Sequence, residues 1–146
     1  MTRAGAVAQA ARDLVGTPFR LQGHDPEHGL DCLGVVIASL ARVDVALALP
    51  PDYRPRRRTF AIPEVLLREA GLIPASNAMR GGDCLLLRTG PAQAHTAVAI
   101  DRERIVHAHA GLGRVVLGPL PHSWPVLATW RLAAETVPKG DTSWQR

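Results

Sequence analysis

The apolar pattern changes its period midway along the chain, and this change restricts the fold more than any other feature of the sequence. Residues 4–15 are rich in Ala and place Val7, Ala11, Leu14 and Val15 at helical spacing, with Gly16-Thr17-Pro18 as the stop. Asp31-Cys32 precedes the apolar run 33–41, which is too long for an ordinary strand and reads as a buried helix capped by Asp31. Residues 63–70 read as a short amphipathic helix, with Pro63 in its first turn and Gly71 at its stop. After that the runs shorten. Residues 83–88, 95–100, 104–108, 114–117 and 126–132 are β-compatible and are punctuated by Gly and Pro. Helices first and strands second imply an α+β fold, with the N-terminal helices packed on a small antiparallel β-sheet.

Between these elements, residues 19–29 read as loop, 50–55 as an extended linker and 138–146 as a polar tail, leaving one domain over residues 1–137. A chain of 146 residues buries roughly two-thirds of its unfolded surface, so it needs no disulfide or metal merely to fold. With 47% hydrophobic and 21% charged residues it is neither disordered nor a coiled coil. No apolar run approaches the ~20 residues of a membrane span, and the N-terminus has no export-signal core. The net charge of +4 comes from sixteen arginines against Lys139 alone, densest at Arg54, Arg56, Arg57 and Arg58. With few aromatics and no stacking platform, that run reads as a solvated loop or a docking surface, not as a nucleic-acid site.

Two cysteines cannot form a disulfide scaffold, and they keep different company. Cys84 lies inside Asp83-Cys84-Leu85-Leu86-Leu87 and reads as core. Cys32 opens a helix, where backbone N–H groups and the helix dipole favour a thiolate and are expected to lower its pKa. A thiolate nucleophile wants an imidazole within reach, and that imidazole wants a third group to orient it. His95 and His107 are twelve residues apart, with Asp101-Arg102-Glu103-Arg104 as the turn between their strands. Adjacent antiparallel strands of that length set both rings side by side at one end of the sheet. His109 shares the strand face of His107 and competes for the orienting role. His24, His28 and Cys32 have an i, i+4, i+8 spacing that would suit zinc on a helix, but Pro26 and Gly29 interrupt it, so no metal or cofactor is expected. Asp83 reads as a turn residue, Arg20 as a loop or substrate-carboxylate residue, and Trp124 and Trp130 as core or strand anchors.

In this order, Gly16-Thr17-Pro18-Phe19-Arg20, Gly29-Leu30-Asp31-Cys32-Leu33-Gly34, Gly82-Asp83, His95-Thr96-Ala97-Val98 and Ile105-Val106-His107-Ala108 resemble the NlpC-type cell-wall cysteine peptidases. The resemblance runs over about residues 4–132. It implies a papain-like fold with Cys32 as nucleophile, His95 as general base and His107 as the orienting residue. It also implies an oxyanion hole that includes the Cys32 N–H, and a peptidoglycan stem peptide as substrate. Phe19, Asp31 and Leu33 fall at the substrate side of the motif. Asp-Cys-Leu-Gly, His107-Ala108-His109-Ala110-Gly111 and Trp124…Trp130-Arg131-Leu132 are most similar to the short peptidases of phage tails and gene transfer agents. That likeness implies tail-tip or baseplate partners and delivery on a particle. Many members have Tyr where this chain has Phe19 and Ser where it has Leu33, so its site is less polar. Two further readings follow: a structural tail-tip protein that keeps the fold with weak or no activity, and an acyltransferase or amidase on the same residues.

Overall fold

The computed structural model describes residues 2–49, 62–91 and 93–133, so the arginine run, the 50–55 linker and the 138–146 tail lie outside the described residues. Helix α1 (Arg3–Asp13) starts where the Thr2 hydroxyl accepts the Gly5 N–H at 2.8 Å. A small hairpin of β1 (His24–Asp25) and β2 (Gly29–Leu30) follows inside the segment expected to be loop. Strands of two residues carry no readable alternation, which is why only the turn chemistry was visible there. Helix α2 (Cys32–Ala41) and the short α3 (Glu64–Glu69) complete the helical part.

The sheet is formed by β3 (Leu72–Pro74), β4 (Cys84–Gly90), β5 (Gln93–Ala99), β6 (Arg104–His109), β7 (Arg114–Pro119) and β8 (Val126–Leu132). Strands β4 to β7 form a meander, β8 returns to the far side of β4, and β3 lies outside it. The order is β3-β8-β4-β5-β6-β7, with every pairing antiparallel. Strand β3 was not expected; it is three residues long and begins directly after Gly71, which ends the preceding helix.

Alternation along the strands divides the core in two. Cys84, Val98, Val106, Ala108 and Val115 face the helices and pack with Val7, Ala11, Val35, Val36 and Leu40. Leu85, Leu87, Ala97, Ala99 and Ile105 point the other way and are covered by Met79, Leu120 and Trp124. Cys84 is core, as its apolar company implied, and burial beside Asp83 pushes its thiol up to about 12. Asp83 does more than close a turn. Besides accepting the Arg80 N–H at 2.9 Å, its buried carboxylate takes Arg131 Nε at 2.9 Å and Nη2 at 2.8 Å, fastening β8 to the start of β4.

Candidate active site

The start of α2 is fixed by backbone contacts. Asp31 caps the helix by accepting the Gly34 N–H at 2.7 Å, and its own N–H donates to the Gly23 carbonyl at 2.9 Å. Leu30 N–H donates to Pro18 O at 3.0 Å, and Phe19 N–H to Gly113 O at 2.9 Å, so the 16–30 segment is tied both to the helix and to the loop before β7. A Cβ at Gly34 would run into the Gly23 carbonyl, and one at Gly23 into the Gly29 carbonyl. Glycine is therefore required by close approach at both positions.

Cys32 is the first residue of α2 and is half-buried. Burial dominates its acidity: desolvation raises the thiol pKa and the neighbouring Asp31 adds to the rise, while Thr96 and the Leu33 N–H pull the other way without prevailing. The expectation of a lowered pKa from the helix start is overturned here, because the low-dielectric surroundings outweigh the first-turn N–H groups. The Thr96 hydroxyl is buried with no hydrogen-bond partner of its own, which leaves the adjacent sulfur as the group it can turn to. The sulfur thus reaches β5 at the residue next to His95. Among the described residues no hydrogen bond joins the Cys32 thiol to His95.

His95 and His107 do meet. Nε2 of His95 lies 2.9 Å from Nδ1 of His107, with the rings nearly perpendicular and their centroids 5.0 Å apart. The ladder between β5 and β6 stops at Val98 and Val106, and beyond it the strands splay enough for the two imidazoles to bond across the gap. Burial pushes His95 down to about 3 and His107 down to about 4, with the other histidines of the cluster adding to the effect. Both rings are therefore neutral near pH 7, so the contact is a neutral hydrogen bond with one N–H to share. With the proton on His95 Nε2 and donated to His107, His95 Nδ1 carries a free lone pair, and a tautomer of this kind is what a base requires.

The remaining sequence candidates fall in varied places. His109 is 5.9 Å from His107 between centroids, but its Nδ1 accepts the Leu112 N–H at 3.0 Å and serves the β6–β7 turn. His24 and His28 are not on a helix with Cys32: His28 bonds Asp25 at 2.7 Å in the hairpin turn, and His24 Nε2 stands 3.7 Å from Asp31. Asp25, Glu27 and His28 cluster on the exposed hairpin, separate from the site. Asp31 is buried and engaged as a cap, and burial raises its carboxyl pKa. Leu33 is completely buried and packs beneath the helix start, with no surface of its own open to a substrate. Phe19 is half-buried and packs against the helix-side core.

Trp124 packs on the second core patch, in keeping with its reading as core, but its contact with the histidines was not foreseen. Its ring stands T-shaped to both imidazoles, 5.8 Å from His95 and 5.3 Å from His107. Together with Gln93, His109 and Gly111, these three rings line an open cleft of about 250 Å³. The only available signal was an aromatic in a Pro-rich segment, and that residue type at that position reads equally well as strand anchor.

The family model described as NlpC/P60 family matches residues 16–125. No curated protein matches the chain. Several solved structures do. NlpC2 from Trichomonas vaginalis is similar at 17% identity and a TM-score of 0.67, over 89% of this chain and 46% of its own. The NlpC/p60 domain of peptidoglycan hydrolase SagA is similar at 26% identity and a TM-score of 0.51, over 80% of this chain and 88% of its own. The peptidoglycan hydrolase RipB from Mycobacterium tuberculosis is similar at 18% identity and a TM-score of 0.55, over 88% of this chain and 63% of its own. The chain thus spans less than half the length of the Trichomonas protein.

Proposed function

The chain belongs to the NlpC/P60 family, and from that premise we propose that it is a cysteine peptidase that hydrolyses peptide bonds in peptidoglycan stem peptides. The observation that carries this reading is the His95 Nε2 to His107 Nδ1 bond of 2.9 Å, which commits one nitrogen of His95 and leaves the other for a proton. In the proposed cycle, His95 Nδ1 takes the proton of the Cys32 thiol as the sulfur attacks the scissile carbonyl. His107 holds the ring and shares the positive charge that forms. The Cys32 N–H at the start of α2 meets the developing oxyanion. The proton then passes to the departing amine, and water attacks the thioester with His95 again as base, releasing the acid and restoring the thiol. Because burial keeps Cys32 and the imidazoles neutral, proton transfer accompanies attack instead of preceding it as a standing ion pair. Phe19 and Asp31 flank the helix start on the substrate side, and the Leu33 N–H lies against the Cys32 sulfur.

In the same reading residues 1–137 form the peptidase domain, which is carried in the tail of a phage or gene-transfer-agent particle and docks on tail-tip or baseplate proteins. The Asp31-Cys32-Leu33-Gly34 and His107-Ala108-His109 stretches support that context. No helix among the described residues is long and apolar enough to cross a membrane.

One observation favours a second reading, a tail protein of this fold with weak activity: the thiol is held neutral and is not hydrogen-bonded to His95. Mass spectrometry of soluble muropeptides incubated with wild type and with Cys32→Ala decides between them. New amine and carboxyl ends formed by the wild type alone support the peptidase. Products unchanged in both samples over several stem-peptide types reject it in favour of the weakly active protein. A product joined to a second acceptor, with no free acid, assigns the acyltransferase instead.

A further inference from the structure

The imidazole pair has a third ring against it that the proposed cycle does not use. Trp124 sits in the segment between β7 and β8, where its backbone N–H donates to the Pro121 carbonyl at 3.0 Å and fixes the turn. It packs on Leu85, Leu87 and their neighbours on the sheet face turned away from the helices. Its indole is T-shaped to His95 at 73° and to His107 at 81°, with centroids within 6 Å of both. Such edge-to-face pairs contribute about 0.5–1.5 kcal/mol beyond area burial and, more to the point here, prefer one relative orientation. The same ring is also a wall of a second cleft of about 520 Å³, whose other side carries Arg102, Glu103 and His122. Trp124 therefore separates the histidine cleft from a charged one.

We propose that Trp124 is a positioning residue: its indole locks the His95 and His107 rings in their bonded arrangement and shields them from water and charge on the side of the second cleft. The proposal rests on the peptidase reading for what the pair does, but not for how the pair is held. His95 has apolar Leu87 beside it on β4, and His107 has Val116 beside it on β7. The titratable neighbours are His109 on β6 and, next to Thr96, the Cys32 thiol of α2; Arg102, Glu103 and His122 lie across the indole. Removing the indole opens a direct path from Arg102, Glu103 and bulk water to both rings. Their neutral state then loses its protection, and His95 gains freedom to turn Nδ1 away from α2.

The test is NMR titration of the imidazole resonances in wild type, Trp124→Phe and Trp124→Ala, paired with steady-state cleavage of muropeptides. In Trp124→Ala the His95 and His107 midpoints are expected to rise by about one pH unit or more. The same variant should lose kcat by about 30- to 100-fold with KM within about threefold, as expected when a reacting group is misplaced by an ångström. Trp124→Phe, which keeps a ring against both imidazoles, should retain wild-type midpoints and kcat within about threefold. If Trp124→Ala lowers Tm while both midpoints stay at their wild-type values, the residue is a fold anchor and the proposal is overturned. Should Trp124→Ala not fold, Trp124→Leu replaces it under the same two criteria. A wild-type protein that cleaves no muropeptide rejects the peptidase reading alone, since the midpoints still decide whether Trp124 positions the pair.

Discussion

The two faces of the sheet are covered by different materials. One lies under α1 and α2 and closes into the larger, continuous core, with Val7, Val35, Val36, Leu40 and Val98 fully buried. The other has a small buried patch under Met79, Leu120 and Trp124, and both clefts adjoin it. The helices supply stability, whereas the thinly covered face holds the imidazole pair beside an open cleft. A reacting group needs access, and a fold needs dry contact area; here opposite sides of one strand layer meet the two demands.

Substitutions on each face should therefore fail in different ways. His95→Ala should cut muropeptide cleavage by about 10³-fold or more, in the range of a lost general base, with thermal stability within a few degrees of wild type. A large fall in Tm instead would make the thin face structural and erase the distinction. Leu40→Ala should cost about 3 kcal/mol in urea unfolding, while Leu120→Ala should cost under about 1 kcal/mol. Equal costs would show that the loop-covered patch contributes as much as the helical one. A further difference is in pH. His95 at about 3 and His107 at about 4 bind protons less readily folded than unfolded, where the ordinary histidine value is 6.5. Stability present above about 6.5 should thus be lost progressively as pH falls toward 4, and the double substitution His95→Gln, His107→Gln should flatten that slope. A slope unaffected by the double substitution would mean that the pair is not buried in solution.

The same asymmetry explains what could be read from the sequence. The helices were legible because periodicity and caps are local: Asp31 caps α2 as its position implied, and Gly71 follows α3. The β5–β6 hairpin was legible because twelve residues and one polar turn leave few ways to pair, although the ladder ends at Val98 and Val106 and the His95–His107 bond forms beyond it. Three things were not. The sign of the Cys32 shift depends on how deeply the thiol is buried, a tertiary property that outweighs the local helix start. The Asp83–Arg131 pair joins residues 48 apart, and no local pattern announces it. Trp124 meets the histidines only because β8 returns beside β4, bringing the preceding segment over the thin face.

The glycine contacts beneath α2 bear on how freely this protein can diverge. At Gly34 and Gly23 one backbone rests on another's carbonyl, and a single methyl group at Gly34 would push the first turn of α2 away from Gly23. That turn carries Cys32, so the register between sulfur and strand β5 rests on this close approach together with the Asp31 cap. Sequence drift can recolour the walls of the cleft, at Thr89 or Gln93 for instance, while the thiol's address stays fixed. In a saturation library, these two positions should retain glycine almost alone, whereas the cleft rim tolerates many residues.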